Sequence, residues 1–302
     1  MEKGLISDVQ RFSLHDGLGL RTLIFLKGCP LACWWCSNPE SQSPRQEIMF
    51  DARQCKGCGD CVAACPSGAL TKDITGNFVY QRELCLLCGA CAEACPEQAR
   101  RLVGRWVSGG ELMAEIERDV PFFRRSGGGI TLGGGEPLYQ SDFALEILKA
   151  CHERGINTVL ETSGYAPWQV ISELSRYVNQ ILFDIKHIDP VKHKRLTGVS
   201  NRRILNNLEK LYRVHSSVIF RYPLVPGCND GKADILTLAR YIKGLGYIEK
   251  VEIIPYHRYG ELKYEMLGKR YGLAGLAPPS SEKITQVCDL IHSQGITCQV
   301  VK

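Results

Sequence analysis

Two stretches of the sequence repeat one spacing of cysteines. They lie 30 residues apart, and each reads C-x2-C-x2-C-x3-C-P. In this spacing the first three thiolates bind one iron–sulfur cube, and the fourth binds the cube of the other stretch. The repeat therefore predicts two [4Fe–4S] clusters. The predicted ligand sets are Cys55, Cys58, Cys61 and Cys95 for one cluster and Cys85, Cys88, Cys91 and Cys65 for the other.

A third group of cysteines has a different spacing. Cys29, Cys33 and Cys36 follow a short apolar segment and offer only three thiolates. A cube held by three thiolates keeps one iron open, and an open position is how a metal site takes part in chemistry. These three residues are therefore the predicted catalytic group.

Zinc binding and simple core packing are the alternative interpretations of these cysteine groups. C-x2-C also begins zinc knuckles, and three thiolates can hold zinc. Spacings of four and three residues also describe one face of a helix, so the third group could be core cysteines. Gly28 and Pro30 favour a loop over a helix there, and the two complete copies of the four-cysteine repeat favour iron over zinc.

Composition limits the remaining classes. Eleven of the fifteen cysteines fall in the three groups, whereas Cys151, Cys228, Cys288 and Cys298 are scattered and read as ordinary thiols. No segment resembles a signal peptide or approaches the roughly 20 apolar residues of a membrane span, so we expect a cytoplasmic protein without a membrane partner. The formal charge of +5 falls close to zero once three anionic clusters are counted, which leaves no support for nucleic acid binding.

Apolar runs alternate with amphipathic ones along most of the chain, which predicts parallel βαβ units and an α/β fold. Periodicity alone does not decide between an open sheet and a partly closed barrel. The predicted strands are Thr22–Leu26, Gly129–Leu132, Asn157–Leu160, Gln180–Phe183, Val218–Tyr222, Val251–Ile254 and Thr297–Val301. The predicted helices are Ser108–Phe123, Asp142–Arg154, Trp168–Tyr177, Asn201–Val214, Lys232–Leu245 and Ser281–Gln294.

Two motifs together resemble one superfamily. The third cysteine group reads C-x3-C-x-aromatic-C, with Trp35 in the aromatic place, and Gly133–Pro137 reads GGGEP directly after a predicted strand. Both are similar to motifs of the radical S-adenosylmethionine superfamily, in which the glycines let the backbone approach the cofactor's methionyl amino group. Taken singly, GGGEP is also typical of a tight turn with no ligand.

The resemblance extends to the glycyl-radical-enzyme activating enzymes. Leu18 stands where that family usually has proline, and Gly133 where serine is commoner. The similar segments are Asp16–Thr22, Arg125–Gly129, Glu161–Gly164, Asp184–Lys186, Arg221–Gly227 and Pro255–His257. We expect all of them near the carboxyl ends of strands, where parallel α/β folds place their sites.

The resemblance implies a partial (β/α) TIM-type barrel formed by residues 1–49 and 104–302, with a two-[4Fe–4S] ferredoxin-like domain inserted at 50–103. The insertion is similar to that of the subgroup serving dehydratases, decarboxylases and carbon–sulfur or carbon–nitrogen lyases. By the same resemblance, Glu161 and Asp184 hold a monovalent cation, and Asp16 and Arg21 meet the partner enzyme. The implied cofactor-binding residues are Trp35, Cys36, Ser37, Gly134, Gly135, Asp184, Ile185, Lys186, Arg221 and His257.

The implied activity is reductive cleavage of S-adenosylmethionine, which gives methionine and a radical that takes hydrogen from a glycine of the partner. Flavodoxin or ferredoxin would supply the electron, and we expect a monomer. Lys186 as a solvated lysine and His257 as a structural histidine are the alternatives for those residues. Two other functions stay open: a radical enzyme acting on a small molecule or peptide, and a plain iron–sulfur electron carrier.

Overall fold

A computed structural model of the protein describes residues 3–246 and 250–301. The strands, numbered along the chain, are β1 (Lys3–Ser13), β2 (Arg21–Leu26), β3 (Glu47–Phe50), β4 (Leu70–Lys72), β5 (Phe78–Tyr80), β6 (Arg100–Val103), β7 (Arg105–Ser108), β8 (Gly129–Gly134), β9 (Asn157–Thr162), β10 (Gln180–Asp184), β11 (Val218–Leu224), β12 (Val251–Pro255) and β13 (Cys298–Val300). The α-helices are α1 (Asp60–Ala63), α2 (Ala90–Glu93), α3 (Gly109–Glu117), α4 (Val120–Ser126), α5 (Ser141–Glu153), α6 (Trp168–Leu174), α7 (Pro190–Thr197), α8 (Arg202–Val214), α9 (Lys232–Gly244), α10 (Tyr259–Met266) and α11 (Ser281–His292).

Nine of the described strands form one sheet in the order β13-β12-β11-β10-β9-β8-β2-β1-β7. The seven strands from β13 to β2 pair in parallel, whereas β1 pairs antiparallel with both β2 and β7. The helices between the parallel strands are the crossovers that such pairing requires. The predicted α/β fold with a parallel sheet is therefore confirmed.

The two faces of the sheet differ in what they bury. Phe183 and Phe220 belong to the large apolar core that also contains the helix residues Leu148 and Leu208. Val159, Leu182 and Ile219 form a separate small cluster. Because successive strand residues point to opposite faces, this second cluster shares its face with Glu161, Asp184 and Arg221, which lie two residues further along the same strands. The second face therefore carries the polar groups.

One predicted helix is wrong, and two strands of the nine-stranded sheet, β1 and β7, escaped the sequence analysis. The segment Ser108–Phe123 is divided between α3 and α4, with β7 ending at Ser108. Ser108 caps α3 together with Glu111, and Pro121 lies in the first turn of α4, where proline is tolerated because that N–H needs no helical partner. β1 and β7 were missed because they lie at the antiparallel edge, where β1 has a largely exposed second half.

The cysteine repeat occupies a segment of short elements. β3 and β6 pair antiparallel at its two ends, and β4 pairs with β5 inside it. Gly59 and Gly89 take up left-handed conformations immediately before α1 and α2, so the two copies of the repeat turn in the same way. No helix in the described ranges is long and apolar enough to cross a membrane.

Candidate active site

The loop that carries the three-cysteine group begins where β2 ends. Residues 27–36 form no helix, so the alternative of three cysteines on one helix face is wrong. Backbone bonds fix the loop on both sides: Cys29 N–H donates to the carbonyl of Gln42 over 2.9 Å, and Trp34 N–H to that of Leu196 over 3.1 Å. Cys33 is buried, and burial raises the pKa of its thiol to about 12 although Lys186 opposes the rise.

Most of the predicted cofactor residues line one cavity of about 220 Å³ next to this loop. It lies at the edge of the sheet where the parallel strands end. Ile185 and Arg221 do not line it, and neither does His257, whose ring lies against Tyr259 at a centroid distance of 4.2 Å. The predicted residues that do line it are Cys29, Cys33, Trp35, Cys36, Ser37, Gly134, Gly135, Glu161, Asp184 and Lys186.

The glycines of the GGGEP segment allow two backbones to meet. A Cβ on Gly135 would lie 2.4 Å from the carbonyl oxygen of Gly28 and 2.5 Å from that of Ser41. Gly134 has φ +104°, a conformation that L side chains rarely adopt. The Gly135 N–H donates to the carbonyl of Leu26 over 2.8 Å, so β8 is fixed directly beside the start of the cysteine loop.

Glu136 links the same turn to the next strand, a role that sequence reasoning missed. One carboxylate oxygen accepts from Thr162 Oγ1 at 2.6 Å and the other from Ser163 N–H at 2.8 Å and Ser163 Oγ at 2.5 Å. The residue is almost wholly buried, and burial raises the pKa of its carboxyl despite these bonds. The sequence signal that could have predicted this role is an acidic residue inside a turn motif with no basic residue nearby in the sequence.

We predict that Glu136→Gln destabilises the protein measurably. A glutamine amide cannot accept from both sides, so at least one buried donor loses its partner, at a cost of about 1–3 kcal/mol. Thermal unfolding under anaerobic conditions should therefore show a lower Tm. Glu153→Gln, at the exposed end of α5, is the matched control and should leave the Tm unchanged. Equal Tm values for the two variants would show that Glu136 does not support the turn.

Lys186 is held at the cavity by its neighbour Asp184. Its Nζ lies 3.0 Å from Asp184 Oδ2, and its side chain is 13% exposed. Burial lowers the pKa of Lys186, but the attraction of Asp184 and Cys33 outweighs this and raises the pKa above its ordinary value. The alternative of a solvated surface lysine is therefore wrong. A fixed positive charge at this place suits an anionic group in the cavity.

A layer of ion pairs lies on the same face, centred on Arg221, which is the neighbour of Asp184 in the register of β10 and β11. Arg221 is 4% exposed; it lies 3.0 Å from Glu252, 3.1 Å from Glu161 and 3.7 Å from Asp16. Burial raises the pKa of Glu161, and Arg221 opposes that rise. Beneath this layer Arg221 and Glu252 line a second cavity of about 460 Å³, together with Leu18 and Leu182.

Two of the family-like segments lie at the other edge of the sheet from the one expected. Asp16–Thr22 precedes β2 and Arg125–Gly129 precedes β8, so both lie where the parallel strands begin. Arg21, expected to meet a partner, is completely buried and donates to Thr131 Oγ1 at 2.8 Å and Asn157 Oδ1 at 3.0 Å. Arg21 is buried because its guanidinium joins polar side chains near the starts of β8 and β9. Asp16 is half-buried, and Leu18 is 76% exposed.

The eight repeated cysteines surround two small cavities, four to each. The grouping is the exchanged one that the spacing predicts, in which the fourth cysteine of each copy joins the other copy's three. One cavity is lined by Cys55, Cys58, Cys61 and Cys95, and the other by Cys65, Cys85, Cys88 and Cys91.

The donor sets suit cubes rather than single ions. Each thiolate of a cube binds its own iron, so the thiolates stand further apart than the ligands of one ion. Among residues 3–246 and 250–301, no three His, Cys, Asp or Glu side chains are close enough to hold a single metal ion. Three or four cysteines nevertheless open onto each of the three cavities.

The chain is similar to known proteins along almost its whole length. Residues 23–239 match the model of the radical SAM superfamily. The choline trimethylamine-lyase activating enzyme of Oleidesulfovibrio alaskensis is 40% identical over 99% of this chain and 98% of its own. The (2S)-3-sulfopropanediol sulfolyase activating enzyme of Bilophila wadsworthia is 43% identical over 91% and 92%. The benzylsuccinate synthase activating enzyme of Thauera aromatica is 41% identical over 99% and 93%.

Solved structures share the fold. A domain of the pyruvate-formate lyase-activating enzyme from Bacteroides vulgatus superposes with a TM-score of 0.50 and 26% identity, covering 58% of this chain and 99% of that one. Streptococcus suis SuiB bound to the precursor peptide SuiA superposes with a TM-score of 0.56 over 94% of this chain and 49% of that one, at 15% identity.

Proposed function

The chain belongs to the radical SAM superfamily and, within it, to the enzymes that activate glycyl radical enzymes, and from this premise we propose how its residues divide the work. The family uses S-adenosylmethionine and a [4Fe–4S] cluster. The observation that carries the assignment is the 220 Å³ cavity, because it brings Cys29, Cys33 and Cys36 together with Gly134, Gly135 and Lys186.

In this proposal the three thiolates hold the cluster, and the rest of the cavity holds the cofactor. Lys186 binds the methionyl carboxylate, and the backbone at Gly134 and Gly135 approaches the amino group. Trp35 and Ser37 lie on the adenine side. Asp184 and Glu161 both line the cavity, and we assign a monovalent cation to their carboxylates. Each carboxylate also forms an ion pair, Asp184 with Lys186 and Glu161 with Arg221.

The chemistry that the cluster supplies is one electron, which splits S-adenosylmethionine into methionine and a 5′-deoxyadenosyl radical. The protein's own residues position the cofactor and keep water from the reacting bond. The radical then takes a hydrogen atom from a glycine Cα of the partner, giving 5′-deoxyadenosine and the glycyl radical. None of these steps needs an acid or a base from the protein.

We assign the entry of the partner's glycine segment to the second cavity, of about 460 Å³. It lies on the same face of the sheet as the cofactor cavity, and the ion pair of Arg221 with Glu161 joins the linings of the two. Leu14 and Leu18 line its mouth and are 65% and 76% exposed, as expected of apolar side chains that another protein covers. Asp16 lies beside them and fixes Arg221.

The residues around the repeat supply the route for the electron. We propose a [4Fe–4S] cluster in each of the two four-cysteine sets, and flavodoxin or ferredoxin as the donor. Three clusters need reduced thiols, and we therefore propose a cytoplasmic location. We propose that it acts as a monomer on its partner. The alternatives of a small-molecule radical enzyme and a plain electron carrier have no observation in their favour.

Leu18→Asp tests this assignment. A charge at the mouth of the second cavity removes apolar contact worth about 1.5–3 kcal/mol, so formation of the glycyl radical should fall about tenfold or more. Cleavage of S-adenosylmethionine without a partner should be unchanged. The measurement is the glycyl doublet in electron paramagnetic resonance, with lyase, dehydratase and decarboxylase types of glycyl radical enzyme and an artificial reductant.

Ile74→Asp is the matched control, since Ile74 is fully exposed between β4 and β5 and should leave the doublet unchanged. If no glycyl radical enzyme gained the doublet from the wild-type protein, while a small molecule or peptide stimulated cleavage, the proposed substrate would be wrong. An equal doublet with Leu18→Asp would move the entry away from the second cavity.

A further inference from the structure

The two four-cysteine cavities are lined by equivalent residues of the repeat. Ile48 and Tyr80 line the cavity of Cys65, and Phe78 and Phe50 line the cavity of Cys95 in the matching places, each 30 residues apart in the sequence. Large apolar or aromatic side chains therefore line both cavities at equivalent positions.

They differ in charge at three positions. Two of the charged residues that line the cavity of Cys95, Lys56 and Glu97, pair with each other over 2.8 Å. The third position is buried. Leu70 lines the cavity of Cys65, and the equivalent residue in the cavity of Cys95 is Arg100. Both side chains are buried, at 3% and 2% exposure. The cavity of Cys95 therefore has a cationic side chain where the cavity of Cys65 has an apolar one.

The buried guanidinium of Arg100 lacks polar partners. Its carbon lies 4.2 Å from the ring centroid of Phe50 and 5.7 Å from that of Phe78, and both rings line the same cavity. Within the described ranges, its Nε and Nη1 have no hydrogen-bond partner and it forms no ion pair. The nearby carboxylate of Glu97 lies 2.8 Å from Lys56.

A buried and unpaired charge is costly, so this cavity needs an anion. A cube with four thiolates is such an anion. Resting on the cluster inventory proposed above, we propose that Arg100 donates to the sulfurs of the cluster held by Cys55, Cys58, Cys61 and Cys95 and keeps its reduction potential above that of the other cluster.

The direction follows from electrostatics. Reduction adds one negative charge to a cluster, and a nearby cation and N–H donors stabilise the reduced form more than the oxidised one. Leu70 offers neither to the second cluster. Arg100 lines the cavity of Cys95 and not that of Cys65, so its charge is in contact with only one of the two clusters.

The test isolates these two clusters. In a background with Cys29, Cys33 and Cys36 all changed to alanine, the midpoint potentials are measured by redox titration followed by electron paramagnetic resonance. Arg100→Leu gives both cavities leucine at this position. The higher potential should therefore fall by about 59 mV for one electron, which corresponds to a tenfold change in the equilibrium constant. The lower potential should fall less.

Arg101→Leu is the matched control, because it removes the same charge from the neighbouring, exposed residue and should leave both potentials in place. Arg100→Gln removes the charge but keeps donors, and it replaces Arg100→Leu if the latter loses iron. The expected result is a fall in the higher potential with either neutral residue.

Unchanged potentials in both Arg100 variants would overturn the proposed role of Arg100 but not the pair of clusters. A fall in Arg101→Leu equal to that in Arg100→Leu would do the same. A background variant that loads no iron would instead overturn the proposed pair of clusters, and the role of Arg100 with it. The readout is independent of S-adenosylmethionine cleavage and of any partner enzyme.

Discussion

Replacing Cys33 by alanine should reduce the cleavage of S-adenosylmethionine to the level of a protein-free control. Cys33 is buried in the loop after β2 and opens onto the cavity that contains Lys186. With one of three thiolates gone, the cluster with the open iron loses one of its three protein ligands. The measurement is 5′-deoxyadenosine by chromatography after anaerobic reconstitution.

Iron content should change together with activity. Three cubes hold about twelve iron atoms per wild-type chain, and the Cys33→Ala variant should retain about eight. Cys58→Ala should instead keep cofactor binding and slow cleavage, with partial rescue by a strong artificial reductant, because Cys58 belongs to the electron-delivering set.

Cys151→Ala is the matched control for these variants. Its thiol is completely buried near Met113, away from all three cysteine groups, and the change should leave iron and cleavage unaltered. Loss of cofactor binding in Cys58→Ala with retention in Cys33→Ala would reverse the assignment of the groups. About four or eight iron atoms per wild-type chain would show that the protein holds fewer than three clusters.

Replacing Lys186 by alanine should weaken the binding of S-adenosylmethionine about ten- to a hundredfold or somewhat more. A charge-assisted bond to a carboxylate contributes about 1.5–3 kcal/mol. The change also leaves the carboxylate of Asp184 without its partner at 3.0 Å, where it repels the methionyl carboxylate. Titration calorimetry on the iron-loaded protein measures the affinity, and iron content should not change.

Lys192→Ala is the control for Lys186→Ala. Lys192 lies on α7, outside the cavity, and binds Asp234 at 2.7 Å. It should leave the affinity for S-adenosylmethionine unchanged. An unaltered affinity in Lys186→Ala would remove Lys186 from the cofactor site, whatever the effect on cleavage.

The sequence predicts those parts of the chemistry that depend on residues close together in the chain. The spacings of Cys29 to Cys36 and of the two longer runs are local, and a tight loop of fixed spacing leaves few arrangements of its thiolates. Alternating apolar runs likewise predicted the parallel sheet, since hydrophobic periodicity reflects burial along one element. The predicted grouping of eight cysteines around two cavities follows from such a repeat.

What only the tertiary structure decided involves residues far apart in the chain. Glu136 holds Ser163, Arg221 joins Glu161 to Glu252, and Arg21 is buried against Asn157. The period of a strand says which residues share a face, but not which strands are neighbours or how deep a charge lies. Arg100 makes the same point, because its place in the repeat is visible in the sequence while its lack of partners depends on packing.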